Sequence, residues 1–358
     1  MGQNTAYHDE RARFVDLLYN SSGMLPRRYV FVLTTRCNLK CDFCPQDKST
    51  LAAAMTGNDW IALIDQLPSY ATVTLTGGEP LLFPAFEAVL AAIVERFPCN
   101  IITNGLLLTP ELLDRILRYG NLKVLSLSID DVGNTVRGLS ERQWQQLAAN
   151  CTMIRDVRNS LRSETVFDIK TVVLDKNADQ LAAIHTYCME TLRCDTHCFQ
   201  FLKGSRYQHA DTMVAFDTLF EPCETDCYTA WGTICEQMEL IRHYNRTSGR
   251  SCYCHPKVFD LNGEHPITCQ TGTHYNLPGF DPAVFAPCKA PWESVHINAD
   301  GTLFPCLSVA MGNVREQTLQ EIVCSNKFER FRTSLRDGGL FPACRRCGYL
   351  QISAGGSP

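Results

Sequence analysis

Residues 29–46 read YVFVLTTRCNLKCDFCPQ. The first six, Tyr29–Thr34, are β-branched or apolar and uncharged, the composition of a strand. The rest places Cys37, Cys41 and Cys44 in one short loop directly after that strand. Parallel α/β barrels set their chemistry at the C-terminal ends of their strands, so the stretch predicts a functional loop as well as a strand.

The same rhythm recurs downstream. Runs at 72–75, 100–103, 123–129, 168–174 and 197–202 alternate with amphipathic stretches at 58–67, 84–97, 110–119, 140–160 and 178–192. Several helices open on start signals such as Thr109-Pro110-Glu111. This alternation is the signature of βαβ units, and the fold class is α/β. Six strands fall short of a closed eight-fold barrel, which takes about 250 residues, so a partial (β/α)6 TIM-like barrel is expected over 27–204. Residues 1–26 are an N-terminal extension too short for a core of its own. Residues 205–287 form a Cys/His-rich connecting insertion with one clear helix near 230–245. Residues 288–350 form a separate small α+β module: a hairpin about Asp300-Gly301, a helix near 316–335 and a closing Cys-x2-Cys. The tail 351–358 is small and polar, and its end is expected to fray.

The chain has 358 residues, a net charge of −5 and no basic run, which argues against nucleic acid or an anionic membrane surface as partner. Its first residues, MGQNTAYHDERARF, lack the apolar segment of a secretory signal. No stretch approaches the roughly 20 apolar residues that span a bilayer. A cytoplasmic location follows as the expectation, and there the 19 cysteines read as metal ligands or catalytic thiols rather than disulfides. Isolated Cys99, Cys151 and Cys324 read as small buried hydrophobes.

Three thiolates in one loop suit a particular site. Structural zinc takes four protein ligands, whereas a cubane held by three leaves one iron open. The second strand ends in Thr76-Gly77-Gly78-Glu79-Pro80. Glycines allow close backbone approach and a glutamate accepts hydrogen bonds from an ammonium, although Gly-Gly and Glu-Pro also punctuate ordinary turns. Asn104 follows the third strand, and Ser126, Ser128 and Asp130 close the fourth.

Cys-x3-Cys-x2-Cys with Phe43 before the last cysteine resembles the defining motif of the radical S-adenosylmethionine (SAM) superfamily, and GGEP in register behind it resembles that family's SAM segment. The resemblance implies a 4Fe-4S cluster on Cys37, Cys41 and Cys44 whose open iron chelates SAM. Reductive cleavage then gives methionine and a 5′-deoxyadenosyl radical that abstracts a substrate hydrogen. It also implies that Gly77, Gly78, Glu79 and Pro80 hold the SAM amino group. Asn104 and Asp130 lie at the same polar strand ends, and Ser128 and Arg137 match positions that contact SAM. The electron comes from a donor such as flavodoxin or ferredoxin.

Cys288 opens CKAPWESVHINADGTLFPC, which ends at Cys306, and Cys344-Arg345-Arg346-Cys347 closes the module. Four thiolates so arranged hold either a structural zinc or a fully ligated cubane. The accompanying landmarks resemble the SPASM/twitch extension of radical SAM enzymes, which implies a second, auxiliary 4Fe-4S cluster on Cys288, Cys306, Cys344 and Cys347. No cysteine follows Cys347, which matches the shorter one-cluster form. Between the two sets, Cys223, Cys227, Cys235, Cys252, Cys254 and Cys269 form no motif with a justified role.

The expected reaction is oxidation of a small molecule, with an adenosyl radical taking hydrogen, a base taking a proton and the auxiliary cluster accepting an electron. The alternative is a peptide- or protein-modifying maturase (formylglycine, thioether or epimerisation) or a sugar epimerase. His197, His209, His255, Asp195 and Lys170 are the candidate bases, and the residues do not choose among them.

Overall fold

The computed structural model describes residues 2–44, 46, 54–133, 136–208, 212–222, 227–277 and 279–353. His209, Cys223 and the AGGSP end of the tail lie outside them. A first helix, α1 (Gly2–Asn20), precedes β1 (Arg28–Val32). Then follow α2 (Gly57–Ile64), β2 (Thr72–Thr76), α3 (Phe86–Val94), β3 (Cys99–Thr103), α4 (Pro110–Ile116), β4 (Leu122–Ser128), α5 (Glu141–Leu161) and β5 (Val166–Val173). The unit closes with α6 (Leu181–Thr186), which runs into a π turn over Tyr187–Thr191, and β6 (Thr196–Phe201). Local chemistry sets the helix starts. Thr56 and Ser140 make capping boxes with Asp59 and Gln143. Thr109 caps α4 through the Leu112 amide with Pro110 in its first turn.

The insertion contributes α7 (Trp231–Ser248) as expected, and also β7 (Cys252–His255), which extends the sheet as a seventh parallel strand beyond β6. A short helix, α8 (Thr273–Asn276), and α9 (Ala290–Glu293) lead into β8 (Ser294–Ile297), β9 (Thr302–Phe304) and β10 (Gly312–Asn313). The single helix expected near 316–335 is two, α10 (Leu319–Val323) and α11 (Asn326–Gly338). Ser325 breaks it by taking an extended conformation and accepting the Phe328 amide as a new N-cap. Cys324, expected to be buried, is exposed in that break and accepts a hydrogen bond from Gln320 Nε2 at 3.0 Å. Cys99 and Cys151 are buried as expected.

All ten strands form one sheet in the order β10-β9-β8-β1-β2-β3-β4-β5-β6-β7. The Asp300-Gly301 hairpin forms where expected, with Gly301 at φ +88°, and β8 pairs in parallel with β1, Arg28 opposite Ser294. Barrel and hairpin therefore share their backbone hydrogen bonding.

In-register parallel neighbours share a face, so the ladder separates two surfaces. Tyr29, Phe31, Val73, Leu75, Ile101, Leu125, Leu127, Phe167, Ile169 and Phe199 are almost fully buried and lie on the helix side. Phe31, for example, meets Trp60 of α2 at 4.7 Å between ring centroids. Each such side chain contributes about 1.5–3 kcal/mol. The opposite face carries Arg28, Thr74, Asn100, Ser126, Ser128, Asp168, Lys170, Thr196, Cys198, Tyr253 and His255. Val30, Ile102 and Val124 share that face, which is the more polar of the two and forms the inside of the barrel.

The N-terminal extension packs on this frame. Phe14 meets Tyr70 at 5.0 Å, Tyr19 meets Trp292 at 4.7 Å, and Arg11 pairs with Glu293 at 2.5 Å. Among the described residues no helix is long and apolar enough to cross a membrane.

A buried polar chain ties α6, β5, β6 and α7 together on the helix side. His185 Nδ1 lies 2.9 Å from His197 Nδ1, His185 Nε2 lies 2.9 Å from Asn245 Oδ1, and His197 Nε2 lies 2.8 Å from Thr171 Oγ1. Burial pushes His185 down to about 4, so the fold holds the neutral ring. The associated stability is complete above pH 6.5 and is lost as pH falls toward 4. At about 1.4 kcal/mol per pH unit, His185 alone accounts for about 3 kcal/mol. The urea midpoint should therefore fall between pH 6.5 and 4, and His185→Gln should fall less steeply over that interval. An identical acid slope in the variant would refute this assignment.

Candidate functional site

The cysteine loop leaves β1 and is held from beneath by the turn after β2. Leu33 donates its amide to the Thr76 carbonyl at 3.0 Å, Gly78 to Thr34 at 2.7 Å and Glu79 to Arg36 at 2.8 Å. A Cβ on Gly78 would stand 2.3 Å from the Arg36 carbonyl oxygen, and one on Gly77, at φ +145°, 2.6 Å from that of Thr34. The two glycines are thus required by the approach of one loop to the other. Pro80 follows, buried, at the first position of a short 3-10 turn.

Glu79 is fully buried. Its carboxylate accepts from Thr103 Oγ1 at 2.7 Å, the Asn104 amide at 2.8 Å and the Leu81 amide at 3.1 Å. Burial raises its pKa, and these donors work in the opposite direction. Three of four lone-pair directions are used, leaving one at Oε2. Asn104 then reaches the cysteine loop, donating through Nδ2 to Asn38 Oδ1 at 2.7 Å, with Cys37 Sγ at 4.0 Å.

The loop after β4 closes the site. Asp130 is buried, accepts the Val172 amide through Oδ1 at 2.6 Å and pairs through Oδ2 with Arg137 Nε at 3.2 Å. Burial pushes Asp130 up to about 6, against the pull of Arg137. Arg137 also donates to the Ser128 carbonyl and stands beside the sulfurs of Cys41 and Cys37. Burial opposes its charge, but Asp130 and those sulfurs outweigh it and raise its pKa. Cys44 turns back on the loop, its amide donating to the Cys41 carbonyl at 3.3 Å. Cys37, Cys41, Gly77, Gly78, Glu79, Asn104, Ser128, Asp130 and Arg137 are thus linked by contacts at one end of the barrel.

The second cysteine set lies at the opposite end. Cys288 precedes β8, which runs with β1, and Cys306 follows β9, which runs back; both therefore stand near the start of β1. The Cys344–Cys347 turn closes on itself, the Cys347 amide donating to the Cys344 carbonyl at 3.0 Å. Gln208 Nε2 caps it from the insertion, donating to the carbonyls of Ala343 at 3.0 Å and Arg345 at 2.7 Å. Burial first, and then the neighbouring sulfurs, push Cys288 up to about 12 and raise Cys306 and Cys344 well above the usual thiol range. Among the described residues no three Cys, His, Asp or Glu groups could hold a single metal ion. Thiols that resist ionisation in these surroundings fit a group that brings positive charge to them.

Comparison with known proteins decides between the open readings. Residues 31–184 match the model of the radical SAM superfamily, and residues 288–348 match that of the SPASM iron-sulfur cluster-binding domain. The chain is a radical SAM enzyme. It carries a C-terminal SPASM domain, and its cofactors are SAM, a 4Fe-4S cluster and an auxiliary iron–sulfur cluster. It is 25% identical over 345 residues to an AdoMet-dependent heme synthase of Methanosarcina barkeri, covering 92% of this chain and 90% of that one. It is 26% identical over 172 residues to the sporulation killing factor maturation protein of Bacillus subtilis, covering 46% and 40% of the two chains. The structure of Streptococcus suis SuiB bound to its precursor peptide SuiA aligns with a TM-score of 0.61 at 17% identity, covering 99% of this chain and 76% of SuiB. That likeness supports the same mixed α/β fold.

The candidate bases separate clearly. His197 is locked in the buried chain described above, on the helix side of the sheet. Asp195 pairs with Arg158 and accepts the Phe167 amide at 2.8 Å, at the far end of β5. Lys170 and His255 face the cavity of this radical SAM enzyme, Lys170 paired with Asp168 at 3.0 Å. Of the unassigned cysteines, Cys227 meets Arg345 Nη2 at 2.9 Å, Cys252 and Cys254 lie buried on β7, and Cys269 is exposed. Asn38 escaped the sequence reading because it fills a variable position of Cys-x3-Cys, and Gln208 and Arg28 because no motif contains them; the one visible signal was the alternation of polar residues along the strands.

The glycine contact makes a sharp test. Gly78→Ala should lower iron retained at the first cluster and weaken SAM binding by more than about tenfold, since the clash is with backbone. Gly120→Ala, whose Cβ meets nothing within 4 Å, should keep both; iron assay and SAM titration on the two variants would check this.

Proposed function

We propose that this radical SAM enzyme modifies a peptide or protein chain, taking a hydrogen atom from a residue held in the barrel between its two cysteine sites. The observation that carries the reading is the polar inner face of the sheet, which runs from the Cys37 loop at one end to the four-cysteine module at the other. The peptide bound to SuiB and the name of the Bacillus maturation protein favour a chain as substrate over the small molecule expected from sequence. One observation favours a second reading. The heme synthase, with 90% of its length covered, supports oxidation of a small molecule on the same face.

In this proposal Cys37, Cys41 and Cys44 hold the radical-generating cluster, and Cys288, Cys306, Cys344 and Cys347 the auxiliary one. Bound together, SAM and the reduced cluster supply a radical able to abstract a carbon-bound hydrogen. The residues around them position and shield. The last acceptor of Glu79 and the Gly77–Gly78 backbone receive the SAM amino group. Arg137, kept charged by Asp130, meets its carboxylate beside Ser128. Asn104 holds the cysteine loop through Asn38. The electron comes from a cytosolic donor protein.

Anaerobic reconstitution should give about eight irons per chain, falling to about four when Cys37, Cys41 and Cys44 are all replaced by Ala. Cys41→Ala should abolish SAM cleavage, and Cys306→Ala should lower iron and turnover while some abortive cleavage persists. Undiminished SAM cleavage in Cys41→Ala would overturn the ligand assignment. Deuterated peptide and small-molecule fractions of the source cell separate the two substrate readings: deuterium in 5′-deoxyadenosine is expected from the peptides, and its appearance from small molecules alone would select the second.

A further inference from the structure

One cation of the inner face, Arg28, has no ion-pair partner among the described residues. Arg28 opens β1, half-buried, next to Thr72 of β2 and Ser294 of β8. Its guanidinium donates to Tyr349 Oη at 3.3 Å and Thr74 Oγ1 at 3.4 Å. Both contacts are long for N–H···O bonds, both partners are neutral, and a guanidinium has five donors to place. Among the described residues Arg28 makes no ion pair. A second cation of this face, Lys170, is matched by Asp168, which also accepts from Ser126 Oγ and Thr196 Oγ1, each at 2.7 Å.

His255 reports how these charges converge. It lies on β7 in register with Gln200, facing the same cavity, and no hydrogen bond of its side chain is found among the described residues. Its ring is exposed at the edge of the sheet, yet partial desolvation and then the charges of Lys170, Arg28 and Arg11 lower its pKa to about 4, with Asp168 acting in the opposite direction. Arg11 is already committed to Glu293. Among these groups Arg28 is the cation without a carboxylate partner, since Lys170 is paired with Asp168 and Arg11 with Glu293.

We infer that Arg28, flanked by Lys170 and His255, is a carboxylate-binding site that anchors the substrate at the end of the barrel away from the Cys37 loop. A planar fork with neutral, stretched partners is suited to take a carboxylate through two parallel bonds, and partial burial strengthens that pairing over one in open water. The inference rests on the proposal that substrate enters this cavity. It adds the chemistry the substrate must carry: an acidic side chain or C-terminus if it is a peptide, an acid group if it is a small molecule. Held there, such a group orients the rest of the substrate toward the radical-generating end.

Calorimetric titration of the unreduced, reconstituted holoenzyme tests it with three probes: acetyl-Ala-Glu-Ala-amide, the corresponding Gln peptide, and succinate. The expected result is that one of the acids binds at least about tenfold more tightly than the Gln peptide, that Arg28→Gln removes this preference, and that Arg28→Lys restores part of it. Tighter binding of the Glu peptide assigns the carboxylate to a peptide, and tighter binding of succinate assigns it to a small molecule. No binding of either acid to wild type, or binding unchanged in Arg28→Gln, overturns the site. Should Arg28→Gln lose its iron or its fold, phenylglyoxal modification of wild-type Arg28 replaces it: the bound acid should slow the reaction at that residue, and an unaltered rate refutes the inference. SAM cleavage is measured on the same preparations. Because binding needs neither reductant nor radical, failure of the carboxylate site and failure of the radical reading give separate results.

Discussion

Two backbone hydrogen bonds, Gly78 to Thr34 and Glu79 to Arg36, set the rest of the site in place. They bring the turn after β2 so close beneath the cysteine loop that only glycine fits at 78. The same turn carries Glu79 into the interior, where a bare carboxylate would cost several kcal/mol. The end of β3 offsets that cost by offering the Asn104 amide and the Thr103 hydroxyl. Asn104, oriented by this exchange, returns to Asn38 in the cysteine loop. Strand ends β1, β2 and β3 are therefore closed into one circuit, and the position of the loop follows from backbone geometry.

The sheet solves two problems with its two faces. Helices bury Phe31, Leu75, Ile101, Leu127, Ile169 and Phe199 on one side and supply the apolar area that stabilises the domain. The other side cannot be filled in the same way, because a substrate has to enter. It carries hydroxyls, an ion pair and the cationic Arg28 instead. Parallel strands buried on both faces read as continuous apolar runs. Here TVTLT, LSLS and VFDIK alternate, and the period of two separates core from cavity.

That alternation was legible in the sequence, as were the six barrel strands, the helix start at Thr109 and both cysteine sets. The strand β7 was not, because Cys252–His255 is four residues of weak propensity whose place is set by β6 beside it. The break between α10 and α11 turns on one serine cap, and amphipathic periodicity runs straight across it. Cys324 was misplaced for the same reason, since inside a continuous helix it would face the core. The pairing of β8 with β1 joins segments at opposite ends of the chain, and no local pattern encodes that register. Pairing of His185 with His197 depends on packing of α6 against β6, so His197 looked catalytic when read alone.

The register between β8 and β1 has a consequence for chemistry. It puts Ser294 beside Arg28, and Tyr349, two residues past Cys347, accepts a hydrogen bond from that arginine at 3.3 Å. The four-cysteine module therefore contributes to the cavity floor as well as closing it. Burial first, and then the neighbouring sulfurs, drive its thiols toward the neutral form, and on the proposed ligand assignment a bound metal is what would hold them as thiolates. Gln208, on the insertion, holds the Cys344–Cys347 turn by its carbonyls, which ties that turn to the loop that follows β6. A module held in this way sets the far wall of the cavity and the environment of Arg28 together. Loss of the auxiliary cluster would then disturb substrate binding as well as electron flow.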